Sequence, residues 1–161
     1  MNQQLHHSST HRLIQERLSE LGLELPAPAT AASSYVPAVR IGNVVHTSGQ
    51  LPLRNGELVA TGKVGADITA EDAASVAAIC VLNALTAAGT LGDLDHARVV
   101  KAVVFVASAP GFNAQPLVAN GASDLLLAVF ADQGRHARSA VGVAELPLNA
   151  PVEVELVVEF P

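Results

Sequence analysis

The sequence has few aromatic residues: it contains no tryptophan, and only 3% of its 161 residues are aromatic. Half of the residues (50%) are nevertheless hydrophobic, which excludes a disordered chain. The core must therefore consist mainly of valine, leucine, alanine and isoleucine. This composition suits β-branched strands covered by alanine-rich helices, and the length suits one domain rather than two.

Cysteine is also scarce, because Cys80 is the only one in the chain. A single cysteine excludes an internal disulfide and any multi-cysteine metal site. Cys80 lies in an apolar helical segment, so we expect it to behave as a small buried hydrophobe. His46 and His136 lack metal-ligand spacing, and His6, His7 and His11 could hold a metal only if the N-terminal tail were ordered. We therefore predict no metal.

The chain has no run of lysine and arginine, and its formal net charge is -6. Binding of phosphates needs clustered cations, so the composition argues against nucleic acid as the main partner. No apolar run reaches membrane-spanning length, and the polar start lacks the hydrophobic core of a signal peptide. We therefore expect no membrane partner and a cytoplasmic location.

The pattern along the chain indicates a short N-terminal helix before one main domain. Ile14, Leu18 and Leu21 share one helical face, which ends at Gly22, and a segment of prolines and small residues follows. We predict a disordered tail, a helix with a linker, and the main domain over residues 1–9, 10–33 and 34–161, respectively.

The main domain alternates strand-like and helix-like segments in the order ββαβαββ. The predicted strands are 35–41, 44–51, 99–107 and two within 138–160. The first predicted helix is capped by Thr69 and ends at Gly89, and the second spans 114–132. Two helices can cover only one face of such a sheet, which predicts a two-layer α+β domain. The second face also carries apolar residues, so we expect copies of the chain to cover it.

The last strand alternates apolar and acidic side chains. A strand has a side-chain period of two, so Val152, Val154, Leu156 and Val158 share one face, and the glutamates share the other. A face with alternating glutamates is usually solvated. It can also be an interface that uses a carboxylate, and the strand alone leaves both interpretations open.

Two segments of the chain carry distinctive motifs: residues 34–52 read SYVPAVRIGNVVHTSGQLP, and residues 137–155 read ARSAVGVAELPLNAPVEVE. They resemble the Rid family, also called YjgF or reactive intermediate deaminase. The family hallmarks are an early G-N-x-x-x-x-S-G-Q-[IL]-P and a late A-R-S-x-V-x-V-x-x-L-P followed by V-E-[IV]-E. The resemblance covers about residues 34–160. It implies a chorismate-mutase-like fold, with two helices on one face of the sheet, and a homotrimer with active sites between subunits.

The resemblance also implies a chemistry. Arg138 matches the arginine that binds the carboxylate of a 2-imino acid, a role that suits a planar guanidinium. Glu153 matches the glutamate that holds the water attacking the imine carbon. The products are a 2-oxo acid and ammonia. No metal or organic cofactor is implied, because an iminium carbon is already electrophilic.

Four further residues match positions near the family's substrate site. Tyr35 matches a tyrosine in the cleft between subunits, and Ser48 and Gly49 match the strand that approaches the substrate. Asn120 matches a helix asparagine if a one-residue gap is allowed. From the residues alone, Tyr35 could equally be a core aromatic, and Ser48 a strand hydroxyl satisfied by the backbone.

Near the matched pocket the chain departs from typical members. His136 replaces a proline, and Ala140 stands where cysteine or threonine is common. His136 could contact the ligand, but we expect it to be an exposed loop histidine.

Three functions are compatible with these features. The first is hydrolytic deamination of 2-imino or enamine acids. The second is non-catalytic binding of a carboxylic acid by Arg138. The third is ribonuclease activity, against which the acidic composition argues. Fold alone does not separate these classes.

Overall fold

The computed structural model describes residues 11–28 and 34–161. The predicted tail, 1–9, and the end of the predicted linker lie outside the described residues. The helices and strands are α1 Arg12–Glu20, β1 Ala38–Ile41, β2 Val44–Thr47, β3 Leu53–Arg54, β4 Glu57–Leu58, α2 Ala70–Gly89, β5 Arg98–Ala107, α3 Gln115–Phe130, β6 Ala137–Val143 and β7 Val152–Glu159. Short 3-10 helices span Leu94–His96, Ala131–Gly134 and Pro147–Asn149.

Five strands form a mixed sheet in the order β1-β2-β7-β5-β6. The β5–β6 pair is parallel, and the other pairs are antiparallel. The small β3–β4 hairpin is separate and turns at Asn55 and Gly56, which both have positive φ. The predicted α+β class is confirmed, and this hairpin is added to the predicted order.

Helices α2 and α3 pack on one face of the sheet and against each other. They approach closely at Gly121, where an added Cβ would lie 1.9 Å from the carbonyl oxygen of Ala74. Only glycine permits this approach, so the contact fixes the position of α3 along α2. The Thr69 hydroxyl accepts a hydrogen bond from the Asp72 amide at 3.1 Å, which confirms the predicted cap of α2.

The core lies between these helices and the sheet. The predicted apolar face of β7 is buried, with Val152, Val154 and Val158 fully inaccessible. Cys80 is also fully buried on α2, and burial raises the pKa of its thiol. Its predicted role as a small buried hydrophobe is confirmed.

Helix α2 corrects one expectation. By length and composition it could cross a bilayer, although the sequence suggested no apolar run of that length. Most of this helix is buried within the domain, as expected for the core helix of a globular fold.

Helix α1 packs on α3 and joins the same core. Two residues of the predicted apolar face, Ile14 and Leu18, are buried, whereas Leu21 is exposed and lies just beyond the helix, which ends at Glu20. The start of α1 is capped from the 3-10 helix Leu94–His96, which is distant in sequence. The Asp95 carboxylate accepts hydrogen bonds from the amides of Leu13 and Ile14 at 3.0 and 2.9 Å.

Candidate functional site

Arg138 lies on the edge strand β6 and points toward the helix-covered side of the sheet. It pairs with Ala102, a fully buried residue of β5. Its Nη1 donates hydrogen bonds to Asn120 Oδ1 at 2.9 Å and to Ser123 Oγ at 3.2 Å. Asn120 and Ser123 are three residues apart on α3, so they present their side chains on one face. The structure therefore brings together two residues that the sequence singled out, Arg138 and Asn120.

The guanidinium of Arg138 is held only by neutral acceptors. Within residues 11–28 and 34–161, no carboxylate lies within salt-bridge distance of it. Its two Nη1 hydrogens are used by Asn120 and Ser123, which leaves Nε and Nη2 without a partner in the described part of the chain. That edge carries two parallel N–H groups, the arrangement that grips both oxygens of a carboxylate.

His136 is half-buried, so the expectation of an exposed loop histidine was wrong. Its Nδ1 lies 2.6 Å from the carbonyl oxygen of Gly134, and its Nε2 lies 3.0 Å from Ser123 Oγ. Sequence reasoning singled out His136 only as a departure from a motif, and it missed Ser123 entirely. The only available signal was the three-residue spacing of Ser123 from Asn120.

Glu153 lies on the central strand β7 and points to the opposite side of the sheet. It pairs with Phe105 of β5, three residues beyond the partner of Arg138. Successive strand residues alternate between faces, so this odd separation places Glu153 and Arg138 on opposite faces. Within one chain the two predicted catalytic residues are therefore not brought together.

The environment of Glu153 disfavours its charge. Burial, and then the nearby negative charge of Glu155, raise the pKa of Glu153 above its ordinary value. None of the described residues donates a hydrogen bond to its side chain, and no fully buried side-chain oxygen or nitrogen in that part lacks a partner. The carboxylate thus remains open to water.

Gly49 lies directly over this carboxylate. An added Cβ at Gly49 would be 1.8 Å from Glu153 Oε1, so the observed glutamate conformation requires a glycine there. The approach results from a bulge in the strand pairing. His46 pairs with Val157, and Gln50 forms a bridge with Val154. The chain therefore advances four residues from His46 to Gln50 but only three from Val157 to Val154, which is one extra residue on the first side.

Ser48 and Tyr35 lie beside the bulge. The Ser48 hydroxyl donates to the Val36 carbonyl at 2.7 Å, and its amide donates to the Pro37 carbonyl at 2.8 Å. These bonds hold the segment that carries Tyr35 next to Ser48 and Gly49. Tyr35 is 62% exposed, which excludes the alternative of a core aromatic within this chain.

The candidate site residues form two clusters. The arginine cluster contains Arg138, Asn120, Ser123 and His136. The glutamate cluster contains Glu153, Gly49, Ser48 and Tyr35. An anion could bind to the first and a water molecule to the second. Among the described residues, no group of three or more histidine, cysteine, aspartate or glutamate side chains could hold a metal ion.

Comparisons with known proteins agree on one family. The model of the endoribonuclease L-PSP family matches residues 25–160. The chain is 49% identical over 146 residues to protein TCP17 of Trypanosoma cruzi, covering 89% of this chain and 91% of that protein. It is 34% identical over 134 residues to the 2-iminobutanoate/2-iminopropanoate deaminase of Escherichia coli K12, covering 81% and 90%.

A similar solved structure is that of protein Atu1372 from Agrobacterium tumefaciens, described as having unknown function. It shares 45% sequence identity, covers 92% of this chain and 94% of that chain, and superposes with a TM-score of 0.85. The likeness therefore extends over nearly the whole chain.

Proposed function

The chain belongs to the endoribonuclease L-PSP family, the Rid or YjgF family of the two motifs, and on that premise we propose that it hydrolyses reactive 2-imino acids to 2-oxo acids and ammonia. The observation that carries the proposal is the hydrogen bonding of the Arg138 guanidinium. Its guanidinium is held by neutral groups on one side and offers its Nε and Nη2 edge to an anion on the other. A substrate carboxylate matches that edge in charge and in shape.

Glu153 supplies the second half of the reaction. As water attacks the C=N carbon, Glu153 accepts a water proton and passes it to the imine nitrogen, which leaves a carbinolamine. The carbinolamine then loses ammonia, its hydroxyl proton leaves with the nitrogen, and the C=O bond forms. A carboxyl with a raised pKa suits both proton transfers, because it gains and releases a proton closer to neutral pH.

The two halves meet between copies of the chain in this proposal. Arg138 and Glu153 lie on opposite faces of one sheet, so one substrate reaches both only if they come from different subunits. A cyclic homotrimer provides three such sites, each with the arginine cluster of one copy and the glutamate cluster of its neighbour. Tyr35, Ser48 and Gly49 would then line the glutamate side of the cleft.

The test is a coupled assay with substrates made in place. An amino acid oxidase generates 2-iminopropanoate or 2-iminobutanoate, and the rate of imine loss is followed with wild type, Arg138→Ala and Glu153→Gln. We expect wild type to accelerate the loss and both variants to abolish the acceleration. Binding of a 2-oxo acid without any acceleration would contradict the deaminase and support the non-catalytic binding protein.

The family is named after an endoribonuclease, so an RNA control is necessary. Purified protein freed of metal is incubated with single-stranded RNA under the same conditions. The net charge of -6 argues against RNA binding, so we expect no cleavage. Cleavage that disappears in Arg138→Ala would support the ribonuclease instead.

A further inference from the structure

A series of hydrogen bonds holds Arg138 at its Nη1 group, away from the Nε and Nη2 edge. Arg138 Nη1 donates to Ser123 Oγ at 3.2 Å, and Ser123 Oγ lies 3.0 Å from His136 Nε2. The other ring nitrogen of His136 lies 2.6 Å from the Gly134 carbonyl oxygen. We call Ser123, His136 and Gly134 the support cluster.

The direction of each bond follows from the chemistry of the groups. A carbonyl oxygen only accepts, so the hydrogen between His136 and Gly134 belongs to Nδ1. In neutral His136, Nε2 then carries only a lone pair and accepts the Ser123 hydroxyl hydrogen. The Ser123 oxygen is thereby turned to accept from Arg138. The support cluster thus has one consistent arrangement, in which every hydrogen has an acceptor.

Both ends of the support cluster rest on rigid backbone. An added Cβ at Gly134 would lie 2.4 Å from the carbonyl oxygen of Leu126, so this turn packs directly on the last turns of α3. Ser123 follows Gly121, whose contact with Ala74 fixes α3 against α2. The histidine therefore connects two fixed points, and its ring cannot shift without losing a bond.

We propose that His136, acting through Ser123, is a positioning residue that selects the edge of Arg138 offered to substrate. Because Ser123 and Asn120 occupy both hydrogens of Nη1, the guanidinium cannot turn, and Nε with Nη2 faces outward. This inference rests on the proposed function, in which Arg138 binds a carboxylate. It assigns a role in substrate binding to two residues that do not touch the substrate.

Loss of the support cluster is expected to weaken substrate binding rather than to slow the chemical step. Without His136 the Ser123 hydroxyl can rotate and donate elsewhere, so Arg138 loses one restraint but keeps its charge. We expect Ser123→Ala and His136→Ala each to raise KM, and the Kd for 2-oxobutanoate, by about fivefold, the effect of one neutral hydrogen bond. The value of kcat should change less than about twofold, since the binding is uniform through the reaction.

The first experiment is a double-variant cycle with matched controls. Because His136 acts through Ser123, Ser123→Ala/His136→Ala should bind 2-oxobutanoate no more weakly than Ser123→Ala alone. His136→Gln keeps an acceptor near the Nε2 position and should restore part of the affinity. His96→Ala, a largely exposed histidine outside the support cluster, is the control and should leave the Kd unchanged. Multiplied effects of the two alanine variants would overturn the proposal.

A second measurement does not depend on activity. Nitrogen-15 NMR of the Arg138 guanidinium, assigned by the loss of its signals in Arg138→Lys, reports rotation about the Nε–Cζ bond. Wild type should show separate Nη signals that merge in Ser123→Ala and in His136→Ala. Unchanged signals in both variants would overturn the positioning role, whatever the enzyme activity. A wild type without imine hydrolysis or 2-oxobutanoate binding would instead overturn the proposed function and leave the NMR to decide on the support cluster.

Discussion

Arg138 and Glu153 lie on opposite faces of one five-stranded sheet, because their partners on β5, Ala102 and Phe105, are three residues apart. Two groups that must act on one small molecule are thus separated by the sheet itself. The separation has a direct consequence for any catalysis that uses both. In the proposed deaminase, the arginine of one copy would therefore work with the glutamate of another.

Complementation between inactive variants tests this arrangement. Arg138→Ala and Glu153→Gln are each expected to be inactive, yet mixing them should restore activity through sites that combine an intact arginine with an intact glutamate. After random reassembly of equal amounts, about one quarter of the sites in a cyclic homo-oligomer contain both intact residues. The measurement is the rate of imine loss after the mixture is dissociated and reassembled.

The control for complementation is the double variant Arg138→Ala/Glu153→Gln mixed with Arg138→Ala. No site in that mixture contains both an intact arginine and an intact glutamate, so no activity should return. The mixture of Arg138→Ala with Glu153→Gln could also stay inactive while its oligomers are shown to exchange subunits. In that case both residues act within one chain, and the proposal of a shared site is wrong.

Arg138→Lys separates charge from geometry. Lysine keeps the positive charge but has no planar edge for a carboxylate, and an ammonium that donates to Asn120 and Ser123 has only one N–H left for substrate. We expect KM for 2-iminobutanoate to rise by about tenfold or more, the loss of one charge-assisted hydrogen bond. Steady-state kinetics measure it, and a wild-type KM in Arg138→Lys would show that charge alone suffices.

The fold was largely predictable because its signals are local. The alternation of Val152 with Glu153 marks a strand with one buried face, and the Thr69 cap marks the start of α2. Only periodicity and capping are needed for such predictions. The pairing of β5 between β6 and β7, two strands that are close in sequence but not neighbours in the sheet, has no local signal.

The site was predictable only as a set of residues. The motifs singled out Arg138, Glu153 and Gly49, but the face on which each side chain lies depends on the register across three strands. His136 was misassigned for a related reason. Its Nε2 lies within hydrogen-bond distance of Ser123, thirteen residues earlier on α3, and no sequence pattern joins the two.

Gly49→Ala should damage catalysis more than folding. The added methyl group would collide with Glu153 Oε1, so the glutamate must swing away from its observed position. We expect kcat to fall by about tenfold or more, since a displacement near 1 Å is enough for such losses. The melting temperature should change little, because a flexible side chain can move.

A compensating variant makes the Gly49 test specific. Glu153→Asp shortens the side chain by one methylene and removes the colliding atoms. Gly49→Ala/Glu153→Asp should therefore be more active than the product of the two single effects predicts. Strict multiplication of those effects would mean that Gly49 does not act through the glutamate.

Asp95→Ala tests how α1 is held. Its carboxylate accepts hydrogen bonds from the amides of Leu13 and Ile14 and so caps α1 from a 3-10 helix that is distant in sequence. Removing a cap costs about 1 kcal/mol of unfolding free energy. Chemical denaturation should show that loss, with kcat unchanged. Asp132→Ala, a residue with a side chain 92% exposed, is the control and should cost less than about 0.5 kcal/mol.

Glu153→Gln links catalysis to stability. Burial and the charge of Glu155 raise the pKa of Glu153 in the folded chain, so between its ordinary and its raised pKa the folded state binds more protons than the unfolded state. Wild type therefore loses stability as pH rises through that window. The variant lacks this loss. The difference in melting temperature, variant minus wild type, should therefore be larger at pH 8 than at pH 4, although the variant is inactive.

The same carboxyl should govern activity at low pH. Water attack needs the ionised form of Glu153, so kcat should fall on acidification, with a midpoint above the ordinary pKa of a glutamate. Glu155→Gln removes one cause of the raised pKa and should move that midpoint to lower pH. Glu57→Gln, which removes an exposed negative charge on the separate hairpin, is the matched control. A midpoint that moves equally in both variants would reflect net charge rather than the pairing of Glu153 with Glu155.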